Sequence, residues 1–309
     1  LSTVLGDPVE EGQVSERRIQ VRGYDRRYTK YQARHTGDAF LRHEWSGDHI
    51  ALQLSAGAAF SPYGTAPLWN AHADWRPDGH WHLDAGIAQT MRLPTFTDLY
   101  YNAPGHKGNP DLQPEKALTV KAGATYAAGP FGLGVTGFYR HGSNVIDWVR
   151  QDAQSEWRSM QITELDTYGA DLKAEYRGRD WLYRATLLYG YILTGKESAG
   201  MISAYALDYL RNKLAAAVDL RPWNGRLSLL LTGTVYDRIG NYAAADGSTQ
   251  SYRPYFLLNA NLGFETGWIR NGSLRFYVEG ENLTGTRYFD FGGLEMPGVW
   301  LNGGVVVRL

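Results

Sequence analysis

The chain has 309 residues, 20% of them charged and 43% hydrophobic, with a formal net charge of -1. That mix is too apolar for disorder and carries no basic excess through which nucleic acid could be held. The absence of cysteine excludes disulfides and thiolate chemistry, and no run approaches the ~18 consecutive apolar residues of a transmembrane helix.

In chain order, the opening segment from Leu1 to Arg18 has neither a basic n-region nor an apolar h-region. The expectation is that a signal was removed, or that the chain is a piece of something longer. From Arg18 onward, period-2 alternation recurs with one polarity. Leu227, Leu229, Leu231, Gly233 and Val235 oppose Ser228, Thr232, Thr234 and Tyr236, with Leu230 among the latter; Phe256, Leu258, Ala260, Leu262 and Phe264 form a second such face. Ala170, Leu172, Ala174 and Tyr176 alternate with Asp171, Lys173 and Glu175, and a charged face opposite an apolar one is not a sandwich core. Helical spacing assembles in no long window. With 36 Gly, 21 Tyr and 10 Trp, the chain reads as all-β with aromatic belts.

Connections alternate in length. Tight turns are expected at Ser46-Gly47-Asp48, Pro77-Asp78-Gly79, Ala128-Gly129-Pro130, Gly178-Arg179-Asp180 and Pro222-Trp223-Asn224-Gly225. Longer links are expected at Arg92 to Pro114, Arg150 to Ser159, Thr194 to Ser203, Gly240 to Tyr252 and Thr284 to Gly298. Short turns at one end and long loops at the other predict an antiparallel transmembrane β-barrel of about fourteen strands. Trp45, Trp75, Trp81, Tyr126, Trp181 and Tyr176 then form one interfacial girdle, and Tyr139, Tyr189, Tyr191 and Tyr236 the other.

Two segments carry more information. Arg92-Leu93-Pro94-Thr95-Phe96-Thr97-Asp98-Leu99-Tyr100-Tyr101 is followed by Gly108-Asn109-Pro110-Asp111-Leu112-Gln113-Pro114-Glu115-Lys116, a long loop stiffened by prolines that presents an aromatic pair. Near the end stand Asn282-Leu283-Thr284-Gly285-Thr286-Arg287-Tyr288 and then Asp290, Phe291, Gly292 and Gly293. Together these resemble the signature of TonB-dependent outer-membrane receptors. The matching positions are Arg92, Pro94, Leu99, Gly108, Asn109, Pro110, Pro114 and Glu115, then Asn282, Leu283 and Tyr288. Within the family, the spacing is most similar to the vitamin B12 receptor branch, although siderophore and haem receptors share much of it.

The resemblance implies a barrel of about 22 strands around an N-terminal plug. Residues 1–309 are expected to be a single domain, the C-terminal portion of that barrel, with about fourteen strands and without the plug or the first strands. It further implies an outer-membrane location in a Gram-negative bacterium, contact with membrane lipid, and TonB contact through the N-terminal region outside this chain. The implied activity is capture and energy-coupled import of a scarce nutrient, cobalamin or an iron chelate, with no enzymatic activity and no cofactor.

Expected ligand contacts are Tyr100, Tyr101, Asn102 and His106 in the long loop, with Asp147 and Trp148 at the outer end of the next strand, because rigid aromatics with polar neighbours on loops bind at low entropic cost. Around Pro77-Asp78-Gly79, His72 and Asp74 face His82 and Asp84, so cross-strand His/Asp pairs are expected; a polar ladder is the ordinary reading and a metal site the weaker one. Two rival classes are a passive pore and a lipid-modifying barrel enzyme. The enzyme needs a Ser and a His on the lipid side of adjacent strands, where His43 stands without a partner.

Overall fold

The computed structural model describes residues 14–19, 32–195, 202–244, 246–269, 272–290 and 294–308. The opening stretch to residue 13, part of the expected Thr194–Ser203 loop, and Phe291, Gly292 and Gly293 lie outside them. The first elements are β1 (Val14–Ile19), β2 (Gln32–Ser46), β3 (Ile50–Ser61), β4 (Gly64–Trp75), β5 (Trp81–Arg92) and a helix α1 (Phe96–Tyr100). The two-residue strands β6 (Asn102–Ala103) and β7 (His106–Lys107) precede β8 (Glu115–Ala128), β9 (Phe131–Arg150), β10 (Trp157–Arg177) and β11 (Leu182–Thr194). The rest are β12 (Ile202–Ser203), β13 (Tyr209–Leu220), β14 (Leu227–Ile239), β15 (Asn241–Ala243), β16 (Thr249–Ser251), β17 (Tyr255–Ile269), β18 (Gly272–Glu281) and β19 (Trp300–Arg308).

Fourteen of these strands form an antiparallel meander, each paired with the next long strand: β1, β2, β3, β4, β5, β8, β9, β10, β11, β13, β14, β17, β18 and β19. Among the described residues β19 pairs only with β18, and no ladder closes it onto β1 or β2. No described helix is long and apolar enough to cross a membrane.

The sheet is apolar on the face that meets its surroundings. Along β3, Ile50, Leu52, Leu54 and Phe60 are exposed while Ala51, Gln53 and Ser55 are half-buried. Leu41, 84% exposed, His43 and Trp45 lie opposite Ala56, Leu54 and Leu52 and share that face. Phe131, Leu133 and Val135 repeat the pattern on β9. Apolar side chains outward and polar ones inward suit hydrocarbon around the sheet.

At the short-turn end, Trp45, Trp75, Trp81 and Trp181 are exposed, and the Trp81 ring lies 4.9 Å from Tyr126. At the other end Tyr139 stacks on Tyr168 at 5.1 Å on the apolar face. Tyr236 departs from the expected girdle. It lies on the polar face, stacked on Tyr255 at 5.0 Å with the Lys213 ammonium 5.5 Å above it, because its neighbour Val235 takes the outward position. That end is also not uniformly long, since a two-residue turn at Pro62 and Tyr63 joins β3 to β4 with Gly64 at φ 99°.

The packed core sits among the long connections. Leu99, Leu112 and Ile146 form one buried cluster with Phe96 and Tyr100 against it, and Val145, Leu165 and Leu207 form another. The 20 residues of β9 and 21 of β10 exceed the ~9–11 of a membrane crossing. Their upper halves rise beyond the apolar belt as a wall against which the loops fold.

Candidate functional site

Much of the expected Arg92–Pro114 loop is structured. Thr95 caps α1 by accepting from the Asp98 amide at 3.0 Å, and the Asp98 carboxylate accepts from the Thr95 amide at 2.9 Å. This reciprocal cap was present in the sequence as Thr95-x-x-Asp98. Arg92 donates two hydrogen bonds of 2.7 Å to Glu115, which is 7% exposed, tying the two ends of the loop together. Glu115 also accepts from the Ile146 amide, which fastens this clamp to β9.

The remaining motif residues serve the same structure. Pro94 and Leu112 are fully buried. The Asn109 amide donates to the Asp98 carbonyl at 2.8 Å, so the returning chain runs against α1. A Cβ on Gly108 would stand 2.9 Å from Asp98 and Leu99 backbone atoms, which is why glycine occupies that position. In the second motif, Asn282 sits at φ 48° and is buried. Its side chain accepts from the Thr286 amide at 2.9 Å and donates to the Thr286 carbonyl at 2.8 Å, which shapes the turn after β18. Leu283 is exposed at 40%, and its amide donates to the Leu258 carbonyl at 2.8 Å. Tyr288 stacks on Tyr255 at 4.6 Å.

Above this frame lies a cavity of about 320 Å³. Its wall includes Tyr101, His106, Trp148, Arg150, Trp157 and Tyr242. Tyr101, His106 and Trp148 converge, their ring centroids 6.0 to 6.4 Å apart. Trp148 is tethered by its indole N–H, which donates to Asp98 at 3.0 Å. The parallel pairing of β7 with Trp157 and Arg158 brings His106 beside β10.

Three expected contacts therefore line the cavity and three do not. Tyr100 stacks on Phe96 at 6.2 Å against the buried cluster. Asn102 is exposed on the β6–β7 hairpin, opposite Lys107. Asp147 has no exposed surface: it accepts from the Ser203 hydroxyl, the Tyr205 amide at 3.1 Å and the Ala206 amide at 3.3 Å. Burial pushes its pKa up, against the pull of these hydrogen bonds. Asp147 straps the 202–207 segment to β9 and presents nothing to a ligand.

Sequence reasoning missed Arg150, Trp157, Ser203, Tyr205, Asp208 and Tyr242 at the cavity. Arg150 opens the expected Arg150–Ser159 loop and Trp157 lies within it, but nothing in the sequence brings them to residues 203–208 or 241–243. Asp208 is held by Arg238 and by the Tyr252 hydroxyl at 3.1 Å, and Arg238 also reaches Asp290 at 3.1 Å. This network draws the β14–β17 connection onto the cavity.

At the opposite end of the sheet, Asp74 lies between His82 at 2.7 Å, the one cross-strand His/Asp pair that forms among the four expected residues, and His72 at 3.1 Å on its own strand. Asp84 lies directly opposite Asp74 and is 3.9 Å from the Lys121 ammonium. Among the described residues no three His, Cys, Asp or Glu are grouped to hold a metal ion.

Residues 10–283 match the family model described as TonB dependent receptor-like, beta-barrel. The chain belongs to that family. Vitamin B12 transporter BtuB of Photobacterium profundum is 24% identical over 190 residues, 60% of this chain and 30% of that protein. The siderophore receptor PirA from Pseudomonas aeruginosa shares the fold at 16% identity with a TM-score of 0.67, over 92% of this chain and 49% of that one. The FrpB iron transporter from Neisseria meningitidis does so at 12% identity and a TM-score of 0.65, over 89% and 44%. This TonB-dependent receptor barrel thus spans about half the length of the solved relatives and less of the curated one.

Proposed function

We propose that the protein is an outer-membrane receptor of a Gram-negative bacterium that captures a scarce nutrient with its long connections and passes it inward by TonB-coupled transport. Residues 1–309 are read as one barrel domain, and energy coupling is assigned to a plug region with its TonB contact segment outside it. The observation that carries this reading is the cavity itself. Connections from three parts of the chain converge on the raised ends of β9 and β10, away from the short turns, and line a recess with aromatic side chains. The size and aromatic lining of the recess favour a binding site over a channel wall.

Cobalamin is the favoured nutrient, on the strength of Leu99-Tyr100-Tyr101, the Gly108-to-Lys116 run and the 190-residue likeness to BtuB. The test is a titration of the full-length protein from outer membranes with cyanocobalamin and, separately, a ferric chelate, in wild type and in Trp148→Ala. Saturable cobalamin binding that Trp148→Ala weakens by about tenfold or more supports the reading, since truncating a buried aromatic anchor costs at least that much. Saturable binding of the iron chelate alone moves the ligand but keeps the receptor. Ion conductance without saturable binding of either supports a passive pore instead.

A further inference from the structure

Arg150 is the unsatisfied group of this cavity. Its guanidinium lies over the Trp157 ring, 4.5 Å from the centroid, and one terminal nitrogen donates to the Ala153 carbonyl at 3.1 Å. Its Nε is buried with no hydrogen-bond partner, and among the described residues no carboxylate comes within ion-pairing distance of it. A buried donor on a permanent cation is costly to leave unpaired.

The acidic groups nearby are engaged elsewhere. Asp152 accepts from the Ser155 amide at 2.7 Å, the Ser155 hydroxyl at 2.7 Å and the Gln154 amide at 3.0 Å. Asp208, on the cavity wall, is ion-paired with Arg238, a cation it shares with Asp290, and accepts from the Tyr252 hydroxyl. Asp147 is turned away beneath residues 203–206. The recess therefore presents aromatic walls and, in Arg150, a guanidinium that feels the charge of Asp152 but has no carboxylate in direct ion-pair contact among the described residues.

We propose that this cavity receives a flat, unsaturated group bearing an anionic oxygen, with the ring against Tyr101, Trp148 and Trp157 and the anion on Arg150. The inference rests on reading the cavity as the ligand site and adds the class of group that enters it. Flat rings gain most from offset or edge contacts with aromatic walls. A guanidinium recognises a carboxylate-like or phosphate-like anion through its donor fork, with a strength a neutral acceptor does not match. The volume of about 320 Å³ accommodates a small ring system, so a larger nutrient enters with one such part.

The probes are 2-naphthoate and its neutral isostere 2-naphthamide, titrated calorimetrically into the full-length protein in detergent. The expected result is naphthoate binding at least ~10-fold tighter than the amide, as one charge-assisted pair supplies. Arg150→Gln should bring naphthoate down to the level of the amide, and Arg150→Lys, which keeps the charge without the fork, should recover part of the difference. Equal binding of the two probes by the wild-type protein overturns the proposal while leaving the cavity as a site; that comparison needs no variant to fold. Binding of neither probe overturns the cavity as a ligand site and the proposal with it. Naphthoate binding unchanged in Arg150→Gln overturns the assignment of the anion to Arg150.

Discussion

Replacing Asp147 by alanine should release the 202–207 segment from β9 without disturbing the sheet below. The carboxylate accepts from two backbone amides, Tyr205 and Ala206, and from the Ser203 hydroxyl, which itself accepts from the Leu207 amide at 2.9 Å. A buried donor left unsatisfied costs roughly 1–3 kcal/mol. Taking the lower end for each of the three, because a loosened segment admits water, the loss is about 3 kcal/mol, or roughly a hundredfold in the local opening equilibrium. Amide hydrogen exchange at residues 203–207 reads this directly, with the β3 and β14 amides as internal controls. Asp147→Asn keeps one acceptor oxygen where the Tyr205 and Ala206 amides use different carboxylate oxygens, so its protection should fall between wild type and Asp147→Ala. The pH dependence follows from the raised pKa. The folded value lies above the unfolded one, near ~3.9, so the extra stability linked to the protonated carboxyl is fully present below the unfolded value and is lost as pH rises through the folded value, leaving the hydrogen bonds of the ionised carboxylate. After correction for intrinsic exchange, wild-type protection should fall across that window, and Asp147→Asn should be flat. Protection in Asp147→Ala equal to wild type would refute the strap.

Two further outcomes test the frame. Arg92→Ala leaves the buried Glu115 carboxylate without its paired donors and should destabilise the 93–114 loop by about 1–3 kcal/mol; limited proteolysis within the loop measures it, and Arg92→Lys should restore only part because it cannot bond in two places at once. Leu54→Arg places a charge on the exposed apolar face and should cost about 2–4 kcal/mol in denaturant-monitored folding into bilayers, whereas Ser55→Arg on the opposite face should cost far less. The reverse ranking would mean that the apolar face does not meet hydrocarbon.

What could be read from the chain was whatever the backbone decides locally. Alternation of side chains is a property of a single strand, so the all-β class, the outward apolar face and the meander of fourteen strands followed from spacing alone. The Thr95/Asp98 cap was equally local, yet the prolines around it made the segment read as irregular, and α1 was missed. The motif residues were recognised, but their work was not: Arg92, Glu115, Gly108 and Asn282 shape turns and clamp loops rather than touch a ligand. The same alternation that revealed the strands also separates Asp147 from Trp148, which point to opposite sides of β9, so that only Trp148 reaches the cavity. The meeting of Arg150 and Trp157 with residues 203–208 and 241–243 was decided by tertiary structure alone. Those contacts join loops far apart in sequence, and they exist because β9 and β10 extend past the apolar belt and give the loops a surface on which to bury their apolar side chains.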